Sequence, residues 1–374
     1  MRSLFVIFLL SVVSLQGAAF GLGAELPIPG TNYGPSAGGR YPLVTAAPSG
    51  FLATWMDQRH LPYELRAARI GADGTNREYT GITLDTCDGA GSMCTNVSST
   101  FADGRFFVAW ARDGIPKVGA VSENDGSFEV TLLDRGPYTA PSFYKPALAW
   151  TGKELVVVFD SGHRLYAAYV DANLHTTGIV PIPGGSGQGE QAVATDGSEL
   201  FVAWDDLQQD RNEIWFSRLT LSGQPLDSAG IRLSSEDASA TFPGRPISLD
   251  VVWSGEDFAI GFGSPNLTIA RIAVDGGISR IDRSLSLGTV LSLRLTRHGR
   301  SILAFWNEPG LHSAEFDASG RQVDSAIFGP ISRGIVVSGS GACNDTECLV
   351  ALNSPIDILL HFTLFPFVSD HQET

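Results

Sequence analysis

Charge is scarce in this chain, and positive charge scarcest: 17% of the 374 residues are charged, with 25 Lys and Arg against 40 Asp and Glu, for a net charge of −15. Such a chain repels phosphate backbones and anionic headgroups, which argues against nucleic-acid binding and docking on anionic lipid. Past residue 24 no run of apolar residues is long enough to span a bilayer. No stretch carries a 3.6-residue apolar stripe, so helix should be nearly absent. The histidines (His60, His163, His175, His298, His312, His361, His371) are dispersed, with no HExxH or HxH, and no CxxC occurs. No metal site or cofactor is therefore implied. The GxSxG elbow of serine hydrolases is missing too. GGSGQG (Gly184–Gly189) precedes a strand and lacks a following Lys-Ser/Thr, so it reads as a flexible connector and not a phosphate loop.

What the chain does have is a globular share of hydrophobic residues, 43%, and 42 glycines, enough for many turns. Residues 1–24 pair a short positive start at Arg2 with an apolar stretch from Leu4 to Leu15 and small residues up to Ala24. This is the pattern of a secretory signal peptide cut between Ala19 and Ala24. A secreted or periplasmic protein is expected, soluble after cleavage and monomeric. The four cysteines form two local pairs, Cys87/Cys94 and Cys343/Cys348, which an oxidising compartment would join as disulfides.

Internal repetition decides the fold. An apolar run ending in an aromatic recurs as Phe51–Trp55, Phe106–Trp110, Leu155–Phe159, Leu200–Trp204, Phe258–Phe262 and Ile302–Trp306, with a degenerate copy at Cys348–Leu352. Successive copies lie about 50 residues apart, the span of one four-stranded propeller blade. A polar turn and another apolar strand precede each run, as in Pro42–Ala47, Pro146–Trp150 and Gln191–Thr195. A third strand follows, such as Glu64–Ile70, Leu165–Val170, Ile214–Leu219 or Leu267–Ile272. Asp73-Gly74, Asp125-Gly126, Ser222-Gly223, Asp275-Gly276 and Ser319-Gly320 then supply tight turns, and short fourth strands begin GITL, GIVPI and GIRL. The last copy has strands expected at Ile335–Gly339, Cys348–Leu352 and Ile358–Leu364, but no residues for a fourth.

The expected fold is thus all-β: a seven-bladed β-propeller of four-stranded antiparallel blades spanning residues 25–368, with 369–374 as a tail. Its last blade would be closed by the N-terminal segment Glu25–Pro29, covering exposed edges. A six-bladed ring with an appendage is the alternative. The repeat, WMDQR (Trp55–Arg59) followed by RAARIGADG (Arg66–Gly74), resembles that of secreted bacterial β-propellers with W-x-D-x-R and AAR-hxxDG motifs. The resemblance spans nearly the whole mature chain and implies an architecture, not an activity. Sialidase Asp-boxes, kelch glycine pairs and GH…WD signatures are all missing.

Topology places the loops after the aromatics, with the connections between blades, on one rim around the channel mouth. Propellers commonly bind there. The candidate residues on it are Asp57, Arg59, Arg112, Asp113, Asp160, His163, Asp205, Asp206 and Glu308, with Arg164, Asp210 and Arg211 nearby. Converging carboxylates could bind a sugar or split into acid and base; equally, an Asp after a strand can cap a turn and pair with a nearby Arg. The terminal aromatics read as core, as do Trp150, Trp215 and Trp253, while Tyr63, Tyr138 and Tyr144 could stack on a sugar or cover a blade edge. Function is read as a binding or scaffold module for a glycan, peptide or partner protein. The alternative is a carbohydrate-active hydrolase or lyase using Asp57, Asp113, Asp160, Asp205 and Glu308, and a third reading puts a cation on the axis.

Overall fold

The computed structural model describes residues 25–27, 39–58, 61–78, 80–87, 94–138, 140, 145–187, 189–208, 211–233, 248–263, 266–286, 290, 292–308, 310–328, 338–353 and 360–366. The signal segment, Arg59 and Tyr144 lie outside them. Seven antiparallel sheets of four strands each form, and no helix occurs among the described residues. Nothing there is a helix long and apolar enough to cross a membrane.

Six sheets take their strands consecutively. In the first, Gly39–Ala47, Gly50–Asp57, Tyr63–Gly71 and Ile82–Cys87 run from inside to outside. The seventh joins Ser338–Cys343, Glu347–Asn353 and Leu360–Pro366 to Glu25–Pro27 from the start of the chain. Glu25 lies opposite Thr363 and Pro27 opposite His361. The expected closure therefore forms; of the first strand expected at Ile335–Gly339, residues 335–337 lie outside the described residues. Every first strand packs on the first strands of the two neighbouring sheets, and Ser338–Cys343 packs on Gly39–Ala47, so the ring closes.

The apolar runs become the second strands, and their two faces feed different cores. Leu52 and Met56 pack with Phe106, Val108 and Trp110 between blades one and two, while Phe51, Ala53 and Trp55 face Leu349 and Ala351 of blade seven. All six terminal aromatics, from Trp55 to Trp306, are buried, and each points at the blade before its own. A strand with two buried faces has no polar side to alternate, which accounts for its continuous apolar sequence. In blades one and four a glycine just before the fourth strand lies against the indole. A Cβ on Gly81 would lie 2.9 Å from Trp55 and one on Gly230 2.8 Å from Trp204, whereas the matching position of the blade with Phe159, opposite Ala168, holds Ile179.

Short polar side chains tie neighbouring blades near the channel. Gln191 Nε2 donates to Lys145 O at 2.9 Å, Val44 N donates to Ser340 Oγ at 3.4 Å and Leu295 N donates to Asp250 Oδ2 at 2.8 Å. The other rim is tied by the arginine of the AAR motif. Arg69 pairs with Glu78 of its own blade and donates through Nη1 to Glu123 O of the next, at 2.7 Å. Arg218 does the same with Asp227 and Val274 O, and Arg271 with Asp257 and Ala318 O. Blade two has Ala120 where this arginine would stand, and Arg105 from its second strand reaches Ala172 O at 2.8 Å instead.

The Asp-Gly and Ser-Gly dipeptides after the third strands close turns with one left-handed residue each. Only their glycines, among them Gly74 (φ 77°) and Gly276 (φ 86°), are left-handed, while the Asp accepts a backbone N–H two residues on, as Asp73 does from Thr75. Turns with both central residues left-handed are Asp103-Gly104, Asp113-Gly114 and Gly162-His163. Both cysteine pairs are disulfides, Cys87–Cys94 and Cys343–Cys348.

Candidate functional site

Second-to-third strand hairpins and inter-blade connections share one rim, as the topology requires. The structure moves most of the candidate acids out of the loops, however. Asp57, Asp160, Asp205 and Asp206 lie within second strands, which continue past the aromatic, and all four are buried. They belong to the wall of the rim. Asp113 and His163 occupy the tips of two-residue hairpins and are exposed, as is the neighbouring Arg164. Glu308 ends the second strand of blade six, and Arg211 begins the third strand of blade four. Arg59 and Asp210 lie outside the described residues.

Several wall carboxylates are committed to partners. Arg66, opposite Trp55, holds Asp57 at 3.4 Å and Glu64 at 2.5 Å. Arg112 pairs with Asp113 at 3.7 Å and with Asp85 of the first blade at 3.2 Å. Asp85 also accepts from Lys117 Nζ at 2.7 Å and Trp110 Nε1 at 2.8 Å. Burial opposes the charge on Asp85, but these donors hold its carboxyl below the usual carboxylate range. Asp85, which sequence reasoning missed, is thus the charge that organises the seam between blades one and two. Its signal was slight: an acid in an outer strand with a tryptophan one repeat downstream.

Blades three and four carry the densest group. Ser186 Oγ donates to Asp206 Oδ1 at 2.7 Å, and Glu190 lies 3.9 Å from Lys145. Burial pushes the Glu190 carboxyl up; Lys145 works against this and the charge of Asp160 adds to it. Burial lowers the Arg135 guanidinium, and Asp160 counteracts that. Lys145, Glu190 and Arg135 stand in the connections between blades, where a search of the second strands could not find them. The glycine-rich segment is in part strand, since Gly184 to Ser186 end the strand Thr176–Ser186. A Cβ on Gly187 would meet Asp160 Cβ at 2.9 Å, and one on Gly189 would meet Asp205 Cβ at 2.8 Å. These glycines let the chain cross directly over two buried aspartates.

The described residues contain no group of three or more His, Cys, Asp or Glu able to hold a metal ion. Tyr138 stacks on Tyr166 with ring centroids 3.8 Å apart, and Tyr63 packs against the core between blades one and two. Both cover blade surfaces. Trp150 stacks on Phe107 and Trp253 packs against Phe258. Leu61, 72% exposed, and Ile115, 42% exposed, stand beside the hairpins of blades one and two. Among the described residues, the exposed part of the rim over blades one to three includes Leu61, Ile115, His163 and Arg164, with Asp113 beside Arg112.

Solved structures share this fold at low sequence identity. The chain is similar to Chaetomium thermophilum Raptor, with a TM-score of 0.56 and 10% identity over 89% of this chain and 30% of that one. It is also similar to a chain from a structural and mechanistic analysis of two prolyl endopeptidases, with a TM-score of 0.51 and 14% identity over 85% of this chain and 45% of that one. The chain spans less than half the length of either, and at these identities the likeness is one of fold. No protein-family model and no curated sequence matches it.

Proposed function

We propose that the protein is an exported binding module that engages a glycan, peptide or partner protein through the hairpin tips of one rim. The observation that carries this reading is the division of labour among the rim's charges. Wall acids such as Asp57 and Asp206 are buried and partnered within the fold, while His163 and Arg164, and Asp113 beside Arg112, are exposed at two-residue turns. A preorganised tip loses little entropy on binding. A glycan array probed with the purified protein, and with a His163→Ala/Arg164→Ala variant, tests it. Binding that the variant abolishes supports the rim; binding that the variant retains in full moves the site elsewhere.

A second reading, a hydrolase or lyase acting on polysaccharide, rests on Glu190. A carboxyl pushed up beside an acid of different surroundings is how a general acid is made. Release of reducing ends, lost in Glu190→Gln, would establish that chemistry.

A further inference from the structure

The mouth of the channel is not alike around the ring. One residue past the end of the apolar run, blades three to seven carry Asp160, Asp205, Gly263, Asn307 and Asn353. Beside it, at or just before the head of the first strand, stand Lys145, Glu190, Ser248, Ser292 and Ser338 in the same order. Blades five to seven are thus neutral there, while blades three and four are charged on both strands. Gln191 marks the same sector. It lies opposite Trp204, whereas the residues opposite Phe262 and Trp306 are Leu249 and Leu293, each packed in an apolar core. Gln191 is fully buried, and its Nε2 donates to Lys145 O at 2.9 Å, which fixes the backbone that carries the cation. Its Oε1 is buried with no hydrogen-bond partner among the described residues. Burial also opposes the charge on Glu190. Two groups that cost stability side by side, where the next two blades have leucine and serine, mark a functional position.

We propose that Lys145 and Glu190 form a subsite for a neutral saccharide at the channel mouth between blades three and four, with Gln191 as its positioning residue. Lys145 Nζ and Glu190 Oε2 stand 3.9 Å apart, too far for a direct hydrogen bond. One hydroxyl oxygen about 2.8 Å from each atom bridges them, accepting from the ammonium and donating to the carboxylate. The two side chains are 17% and 24% exposed, so the pair is recessed yet open to solvent. Cation and carboxylate stand side by side here, and the chain as a whole carries −15. A polyanionic ligand is repelled, whereas a sugar hydroxyl, both donor and acceptor, satisfies both partners at once. The subsite continues outward. Arg164 at the tip of blade three lies opposite Ser186, and Gly187 and Gly189, between Ser186 and Glu190, lie against Asp160 and Asp205. A glycan seated on the pair would run outward to His163 and Arg164. The inference rests on the binding-module reading and narrows its ligand to a neutral glycan.

Calorimetric titration of the full chain with cello-, xylo-, manno- and chito-oligosaccharides, and with oligogalacturonate as the anionic counterpart, tests this. A neutral oligosaccharide should bind and oligogalacturonate should not. Lys145→Met and Glu190→Ala should each weaken binding about ten- to hundredfold, the loss of one charge-assisted hydrogen bond. Gln191→Leu should weaken it while the melting temperature holds or rises, a split that a residue serving only the core would not give. In the unaltered protein, bound saccharide should shield Lys145 from acetic anhydride, read by mass spectrometry, and leave Lys153, 86% exposed, fully reactive. That arm needs no variant to fold. Four results would overturn the proposal: no neutral oligosaccharide bound, tighter binding of oligogalacturonate, full affinity in both Lys145→Met and Glu190→Ala, or equal labelling of Lys145 with and without saccharide. The two readings fail separately. Saccharide binding lost in His163→Ala/Arg164→Ala but intact in Lys145→Met and Glu190→Ala leaves the rim reading standing without this subsite.

Discussion

The indole N–H of Trp110 donates to Asp85 Oδ2, 2.8 Å away, so the second blade's core aromatic is anchored by a carboxylate of the first. Lys117 and Arg112 share that carboxylate. Asp85→Ala takes the acceptor from the buried indole N–H and from Lys117, and one carboxylate partner from Arg112. It should cost about 2–4 kcal/mol in denaturant unfolding, since charged hydrogen bonds contribute about 1.5–3 kcal/mol and stranded partners add to that. Asp85→Asn should recover part of the loss by keeping an acceptor for the indole. The seam also has an acid limit: the Asp85 carboxyl lies below its ordinary value, so its contribution is present above about 4 and is lost as pH falls through the folded value.

Trp204→Ala should cost about 3–5 kcal/mol, the usual loss for deleting a buried indole from a packed core. The residue is completely buried between blades three and four. A near-neutral result in urea titration would show that the interface collapses to fill the space.

Gly230→Val forces a side chain into the indole of Trp204, which a Cβ at that position already approaches to 2.8 Å. Overpacking of this kind costs about 1–3 kcal/mol. Gly178→Val should be better tolerated, because nothing lies within 4 Å of its Cβ, and the position matching Gly230 in its blade already holds Ile179. Melting temperatures of the two variants decide the point.

Glu190→Gln should stabilise the protein at neutral pH. Burial raises the Glu190 carboxyl, so the charged form carries a penalty that appears as pH rises through the ordinary value of 4.5 and is complete above the folded one. The variant and the parent should converge near pH 4 and separate by pH 7. Equal stability across that range would mean that Lys145 compensates fully.

Removing residues 25–30 should lower the melting temperature sharply, because Leu360–Pro366 would lose its outer partner. Mass spectrometry of the oxidised protein should find no free thiols, since both cysteine pairs are disulfides.

The architecture was legible because a propeller writes its period into the chain. The terminal aromatics and Asp-Gly turns recur where a blade requires them, and the leftover segment at Glu25 had one vacant edge to fill. The rim was less legible. Asp57, Asp160 and Asp205 were placed in loops because the strands were ended at the aromatic, whereas hydrogen bonding carries them two or more residues further. Arg135, Lys145 and Glu190 sit in connections of irregular length, where no period marks them. The arginine of the AAR motif was visible as a pattern, but its purpose depends on the carbonyl of a turn some fifty residues away in the next blade.

Each terminal aromatic leans on the module before its own, so every sheet is completed by its neighbour and none is self-sufficient. A truncated chain ending after any blade would leave one apolar layer open to water. A circular permutant that joins the natural ends and is cut in another connector would leave every layer filled. The molecule should therefore tolerate relocation of its ends far better than loss of a single sheet.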